Sequence, residues 1–184
     1  MSSYEPSEVE KILITEKEIE EKVTMLAEQI NKMYAGKEVI LVGVLKGAVF
    51  FFVDLCKRLH LDVQVELISA SSYGDSTTSS GSVNITLDVK QSLEGKHVII
   101  VEDICDTGLT LHHLTKLFET RKVASLKTCV LLRKAARLKV PNIQLDFIGF
   151  DIEDHFVIGY GLDYAGRFRQ LPYIGILKES IYKS

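Results

Sequence analysis

The chain has 184 residues, 46% hydrophobic and 26% charged, with a formal net charge of −3, which suits about one globular domain with a real core. No basic tail or block is present, so broad capture of a nucleic-acid backbone is not expected, and apolar runs such as Ala48 to Val53 are too short to cross a bilayer. Three scattered cysteines and a polar, acidic opening from Met1 to Lys11 point to a reducing, cytoplasmic setting.

In chain order, Thr15 to Glu18 reads as a capping box, followed by Ile19, Val23, Leu26, Ile30 and Met33 at helical spacing, with Gly36 as the stop. Val39 to Leu45 is an unbroken apolar run, as in a strand covered on both faces. A helix over about Ala48 to His60 follows, then a strand over Asp62 to Ala70. Residues 71–82 are nearly all Ser, Thr, Gly, Asp and Tyr, which predicts a long mobile loop, and Val83 to Val89 reads as its return strand. His97 to Val101 is a second buried strand, ending at Glu102 and Asp103. The turn Asp106 to Thr110 leads into a helix over about Leu111 to Thr120. Leu126 to Leu132, Asp146 to Asp151, Phe156 to Tyr160 and Tyr173 to Leu177 read as further strands.

Strands alternating with helices predict an α/β fold with a mainly parallel twisted sheet flanked by helices. Ligands of such sheets bind beyond the carboxyl ends of the strands. Three of those ends carry polar or glycine-rich groups, Lys46–Gly47, Glu102 to Thr110 and Arg133–Lys134, and they are expected to converge. The stretch from Val98 to Thr110 is the most informative. A buried strand delivers two adjacent carboxylates, suited to sugar hydroxyls or Mg²⁺. The turn behind it offers backbone N–H groups, the Thr107 and Thr110 hydroxyls, a glycine and a helix N-terminus, which together suit a phosphate. The plainer readings are a solvated acidic pair and, for Arg133, Lys134, Arg137 and Lys139, a charged surface run.

Val98 to Thr110 resembles the signature of the type I phosphoribosyltransferases, and its Val-Glu-Asp followed by Asp-Thr-Gly is similar to the hypoxanthine-guanine branch. Leu45 to Ala48 resembles that family's pyrophosphate loop, Ser71 to Gly74 its flexible lid, and Phe156 to Arg169 its purine and metal segment. The resemblance implies one domain over residues 1–184. Its core would lie over about 37–150, its hood in the N-terminal segment and about 151–184, and its lid over 71–82. It implies purine salvage: transfer of the phosphoribosyl group of phosphoribosyl pyrophosphate to a 6-oxopurine, with Mg²⁺, in a homodimer or homotetramer.

The same resemblance assigns Glu102 and Asp103 to the ribose and metal, and Asp106 to acid/base work at the purine N7. Asp106, Thr107, Gly108, Leu109 and Thr110 would cradle the 5-phosphate, although many relatives carry Lys or Arg where Leu109 stands. Lys46, Gly47 and Arg169 would hold pyrophosphate, while Lys134, Phe156 and Val157 would recognise the purine. Asp163, in the purine segment, would also hold the metal, and Ser72 and Tyr73 would close the lid. The Leu45–Lys46 bond is expected to be cis on the same resemblance. A second reading, from another class, is a phosphoribosyltransferase-like regulator that binds RNA; the acidic balance and missing basic stripe count against it. A third keeps the enzyme and changes the base, for example to xanthine.

Overall fold

The structure is a computed structural model that describes residues 6–72 and 83–183. Two sheets share the chain. The larger has six strands: β2 (Glu38–Leu45), β3 (Asp62–Ser72), β4 (Val83–Leu87), β5 (His97–Cys105), β6 (Ser125–Arg133) and β7 (Phe147–Asp151). Their order is β4-β3-β2-β5-β6-β7, parallel throughout except for the antiparallel edge pair β3–β4. The smaller is antiparallel, with order β1-β9-β8, built from β1 (Val9–Ile14), β8 (Val157–Ile158) and β9 (Ile174–Leu177). Strand β1 was not foreseen from the sequence.

Alternation along the central strands explains the layers. Val39, Leu41, Ile99 and Val101 pack with α1 (Glu16–Met33) and α2 (Val49–Cys56). Ile40, Val42, Val98 and Ile100 face α3 (Leu109–Glu119) through Leu111, Leu114 and Phe118. Because both faces are covered, these strands carry no polar alternation at all. Helix α1 opens on the expected capping box: Glu18 N–H donates to Thr15 Oγ1 at 3.3 Å and Thr15 N–H to the Glu18 carboxylate at 2.8 Å. Its buried stripe is Ile19, Val23, Leu26, Ala27 and Ile30, whereas Met33 lies outside it, 49% exposed.

Several boundaries move. Helix α2 stops at Cys56 rather than near His60, because Arg58 and Leu59 bond three residues back, to Leu55 and Cys56, and tighten the chain out of the α-helix. Strand β5 does not end at Val101. Its pairing with β6 continues through Glu102↔Val130 to Cys105↔Arg133, so the acidic pair lies inside the strand. Helix α3 begins two residues early, at Leu109, and α4 (Glu179–Tyr182) closes the chain. Ser71 and Ser72, expected in the loop, are paired in β3 with Asn84 and Val83, which moves the start of that loop. The rest of the expected lid, Tyr73 included, lies outside the described residues.

Candidate active site

The three expected strand ends do converge. The Leu45–Lys46 peptide is cis, and beyond it Gly47 lies directly against the Asp103 carboxylate: a Cβ on Gly47 would stand 1.7 Å from Asp103 Oδ2. From the other side Gly161 presses on Gly47, since a Cβ on Gly161 would stand 2.0 Å from the Gly47 carbonyl oxygen. Only residues without a side chain allow these approaches. Gly161 N–H donates to the Arg169 carbonyl at 2.9 Å, and Arg169 donates to Asp163 Oδ1 at 2.8 Å. Lys46, Gly47, Asp103, Asp163 and Arg169 thus form one neighbourhood, with the Lys46 side chain exposed at its rim.

Glu102 and Asp103 are 8% and 9% exposed. Burial pushes the Glu102 carboxyl well above the usual range, and the charge of Asp103 adds to the push. Burial raises Asp103 as well, against bonds to its carboxylate that include the Ile104 N–H at 2.8 Å, and against the more distant Arg169 charge. Among the described residues neither carboxylate has a cation in salt-bridge contact, and two such buried groups are poorly solvated, so hydroxyl donors and a hard cation are what this pair best accepts. Asp163 does not join them. Its Oδ2 accepts from Gly166 N–H at 2.8 Å and its Oδ1 from Arg169. Among the described residues no group of three His, Cys, Asp or Glu side chains could hold a metal.

After the pair comes the phosphate turn. Glu102, Asp106, Thr107, Gly108 and Thr110 line a hollow of about 80 Å³. Gly108 is the N-cap of α3 at φ 81, a left-handed conformation that a side chain would oppose, and the first helical N–H, of Leu109, donates to Thr107 Oγ1 at 3.4 Å. Leu109 is 41% exposed, so its side chain points away into solvent. The turn is buttressed from above: Lys139 N–H donates to the Thr107 carbonyl at 2.9 Å, and Ile143, Leu138 and Val140 close over Gly108.

Lys134 follows β6 directly, its N–H held at 3.0 Å by the Cys105 carbonyl. Its side chain is 9% exposed, and the ammonium donates to Asp154 Oδ1 at 3.2 Å. Arg137 donates from Nε to Asp106 Oδ1 at 2.5 Å and from Nη1 to Asp154 Oδ2 at 3.1 Å. Arg137 first, and Lys134 after it, hold the Asp154 carboxyl below the usual range. Of the run weighed as a charged surface, Lys134, Arg137 and Arg133 are therefore paired, Arg133 with both oxygens of Asp151 at 2.6 and 2.9 Å, while the Lys139 side chain is exposed. Arg137 and Asp154 had been given no site role. The spacing of Lys134 and Arg137, one turn apart beyond a buried strand, was the available signal. Phe156 sits among aromatics, 5.0 Å from Tyr182 and 5.6 Å from Tyr164 between centroids, and Val157 is buried in β8.

The arrangement brings a helix N-terminus, a buried acidic pair and the paired cations Lys134 and Arg137 together beyond the carboxyl ends of β5 and β6. The family model described as the phosphoribosyl transferase domain matches residues 10–165. A hypoxanthine-guanine phosphoribosyltransferase of Dictyostelium discoideum is 49% identical, covering 94% of this chain and 97% of its own. The Bacillus subtilis protein of the same name is 46% identical, over 96% and 98%. Among solved structures, a hypoxanthine phosphoribosyltransferase of Staphylococcus aureus superposes with a TM-score of 0.92 at 42% identity, covering 96% of each chain.

Proposed function

This chain belongs to the phosphoribosyl transferase family, and from that premise we propose that it serves purine salvage, moving the 5-phosphoribosyl group of phosphoribosyl pyrophosphate onto hypoxanthine or guanine to give IMP or GMP and pyrophosphate. The observation that carries the reading is the end of β5, where a buried carboxylate pair stands one turn ahead of a helix N-terminus capped by Gly108. That is a seat for a sugar and its phosphate on adjoining residues.

The N–H groups of Asp106, Thr107, Gly108, Leu109 and Thr110 receive the 5-phosphate, and Glu102 and Asp103 receive the ribose hydroxyls. Lys46, Gly47 and Arg169 hold the pyrophosphate, and their fixed positive charge favours its departure. Lys134 donates to the purine 6-oxygen, Phe156 lies against the ring, and Val157 contacts it through backbone. Asp106 takes the N7 proton, which raises electron density in the ring as the new bond forms. Mg²⁺ fits the buried oxygens of the acidic pair; Glu102 and Asp103 would hold it, Asp163 could add to them only by giving up Arg169, and the ion would neutralise negative charge on the diphosphate.

We further propose one working domain, with a core over about residues 37–150 and a hood from the N-terminal segment and about 151–184, which carry the small sheet. A cytoplasmic enzyme that forms a homodimer or homotetramer is part of the same proposal; among the described residues no helix is long and apolar enough to cross a membrane. Pyrophosphate release measured with hypoxanthine, guanine, xanthine and adenine tests the reading. Xanthine belongs in the panel because a Tritrichomonas foetus relative, 41% identical, is a hypoxanthine-guanine-xanthine phosphoribosyltransferase. No base-dependent release with any of the four would overturn it.

A further inference from the structure

We propose that Arg137 and Asp154 are a positioning pair that sets the spacing between the two side chains reading the purine edges, Lys134 and Asp106. The inference rests on the proposed purine site and assigns work to two residues outside it. The four charges form a single chain of contacts: Asp106 Oδ1 to Arg137 Nε at 2.5 Å, Arg137 Nη1 to Asp154 Oδ2 at 3.1 Å, and Asp154 Oδ1 to Lys134 Nζ at 3.2 Å.

The backbone fixes both ends of this chain. Lys134 is anchored to Cys105, and the single 3₁₀ turn Ala135–Arg137 carries Arg137 back over Asp106. Lys134 is nearly enclosed, while Asp154 and Arg137 have half-open side chains at the rim, 51% and 43% exposed. An enclosed ammonium needs its carboxylate, because an unpaired buried charge is costly. Arg137 is the shared element. Its planar fork donates to two carboxylates at once, which a lysine could not do with fixed geometry. The donor that Arg137 places on Asp106 stands where the proposed purine N–H must donate. A base therefore enters by exchanging one donor for another, and Asp154 keeps the released guanidinium on the rim beside the site.

Removing Asp154 has two consequences on this geometry. Lys134 loses its counter-ion, and Arg137 loses the contact that draws it off Asp106. Both penalise the base, and neither touches the proposed pyrophosphate residues or the backbone N–H groups of the phosphate cradle. Steady-state kinetics on Asp154→Asn should show KM for hypoxanthine raised about tenfold or more, the loss expected for one partner of a charged hydrogen-bonded pair. KM for phosphoribosyl pyrophosphate should stay within about twofold, and Asp154→Glu should recover part of the loss.

Arg137→Gln should have an effect of similar size. The double variant should fall no further than the worse single one, since residues acting as a unit are not additive. Multiplying losses in the double variant, or an unchanged hypoxanthine KM in Asp154→Asn, would overturn the pairing. Equal rises in both KM values would also overturn it, making Asp154 a support for the whole site. Asp106→Ala and Lys134→Gln, run alongside, separate the two levels. If these are impaired and the rim variants are normal, the positioning idea alone fails; if all four are normal, the purine site itself is misplaced.

Discussion

Gly47→Ala puts the closest contact in the site to a quantitative test. The added Cβ would lie 1.7 Å from Asp103 Oδ2 and 2.6 Å from its Cγ, while real Cβ contacts are essentially never under 3.0 Å, so the carboxylate must retreat by about 1.3 Å. It has little room. Asp103 is 9% exposed, and its Oδ1 already holds the Ile104 N–H at 2.8 Å. Misplacement of about 1 Å in a catalytic array costs on the order of 10²-fold. Overpacking costs roughly 1–3 kcal/mol in addition, which at about 2–4 °C per kcal/mol for a chain of this size lowers Tm by several degrees. The assay is kcat/KM for phosphoribosyl pyrophosphate at saturating hypoxanthine, with Tm from calorimetry. Activity should fall about 10²-fold, and KM for hypoxanthine should move much less. Gly36→Ala is the control, because nothing lies within 4 Å of its Cβ even though φ is +73°; it should cost stability and spare activity. Gly47→Ala with activity within about threefold of wild type and an unchanged Tm would show that the Gly47–Asp103 contact neither shapes the site nor constrains the carboxylate.

Asp106→Ala should lower kcat by about 10²–10⁴-fold with little change in KM for phosphoribosyl pyrophosphate, and near-normal turnover would remove it as the base. Lys134 has three donors and no acceptor, so adenine should be used roughly 10⁴-fold less well than hypoxanthine. Lys134→Gln should narrow that ratio in kcat/KM, and an unaltered ratio would move base selection elsewhere. The Arg121 side chain bonds both oxygens of Asp88, at 2.9 and 2.6 Å, and holds that carboxyl below the usual range, so its contribution to stability is present above the ordinary carboxylate value and is lost as pH falls through the lowered one. Asp88→Asn should therefore have a flatter acid limb in a Tm-against-pH series, and parallel limbs for the two proteins would leave the pair without weight.

The buried strands were the legible part of this fold, since β2, β5 and β6 are covered on both faces and read as apolar runs. Helix α1 was legible because its capping box is a local signal. The acidic pair was placed one step late, past the end of a strand, because apolar patterning stops at Val101 while backbone pairing to β6 runs on to Cys105. Strand β1 escaped notice because its burial pattern is mostly exposed and does not alternate, and its partner β9 is remote in sequence. The same remoteness hid the role of Arg137. A guanidinium in a basic run looks solvated until Asp106, 31 residues back, and Asp154, 17 residues on, are seen beside it. Local chemistry shows which groups a segment carries; the partners that neutralise them come from topology.

The small sheet also carries a consequence for how the protein is made. Val9 pairs with Leu177, so β1 waits for a strand made much later in synthesis. At about 5–20 residues per second, the roughly 170-residue interval is on the order of ten to thirty seconds of synthesis. During it the six strands of the larger sheet emerge in full, and Val157 and Ile158 emerge before the strand they bond to. The phosphate turn can thus take shape while the purine segment has nothing to pair with, and a released chain ending near residue 165 would hold half a site.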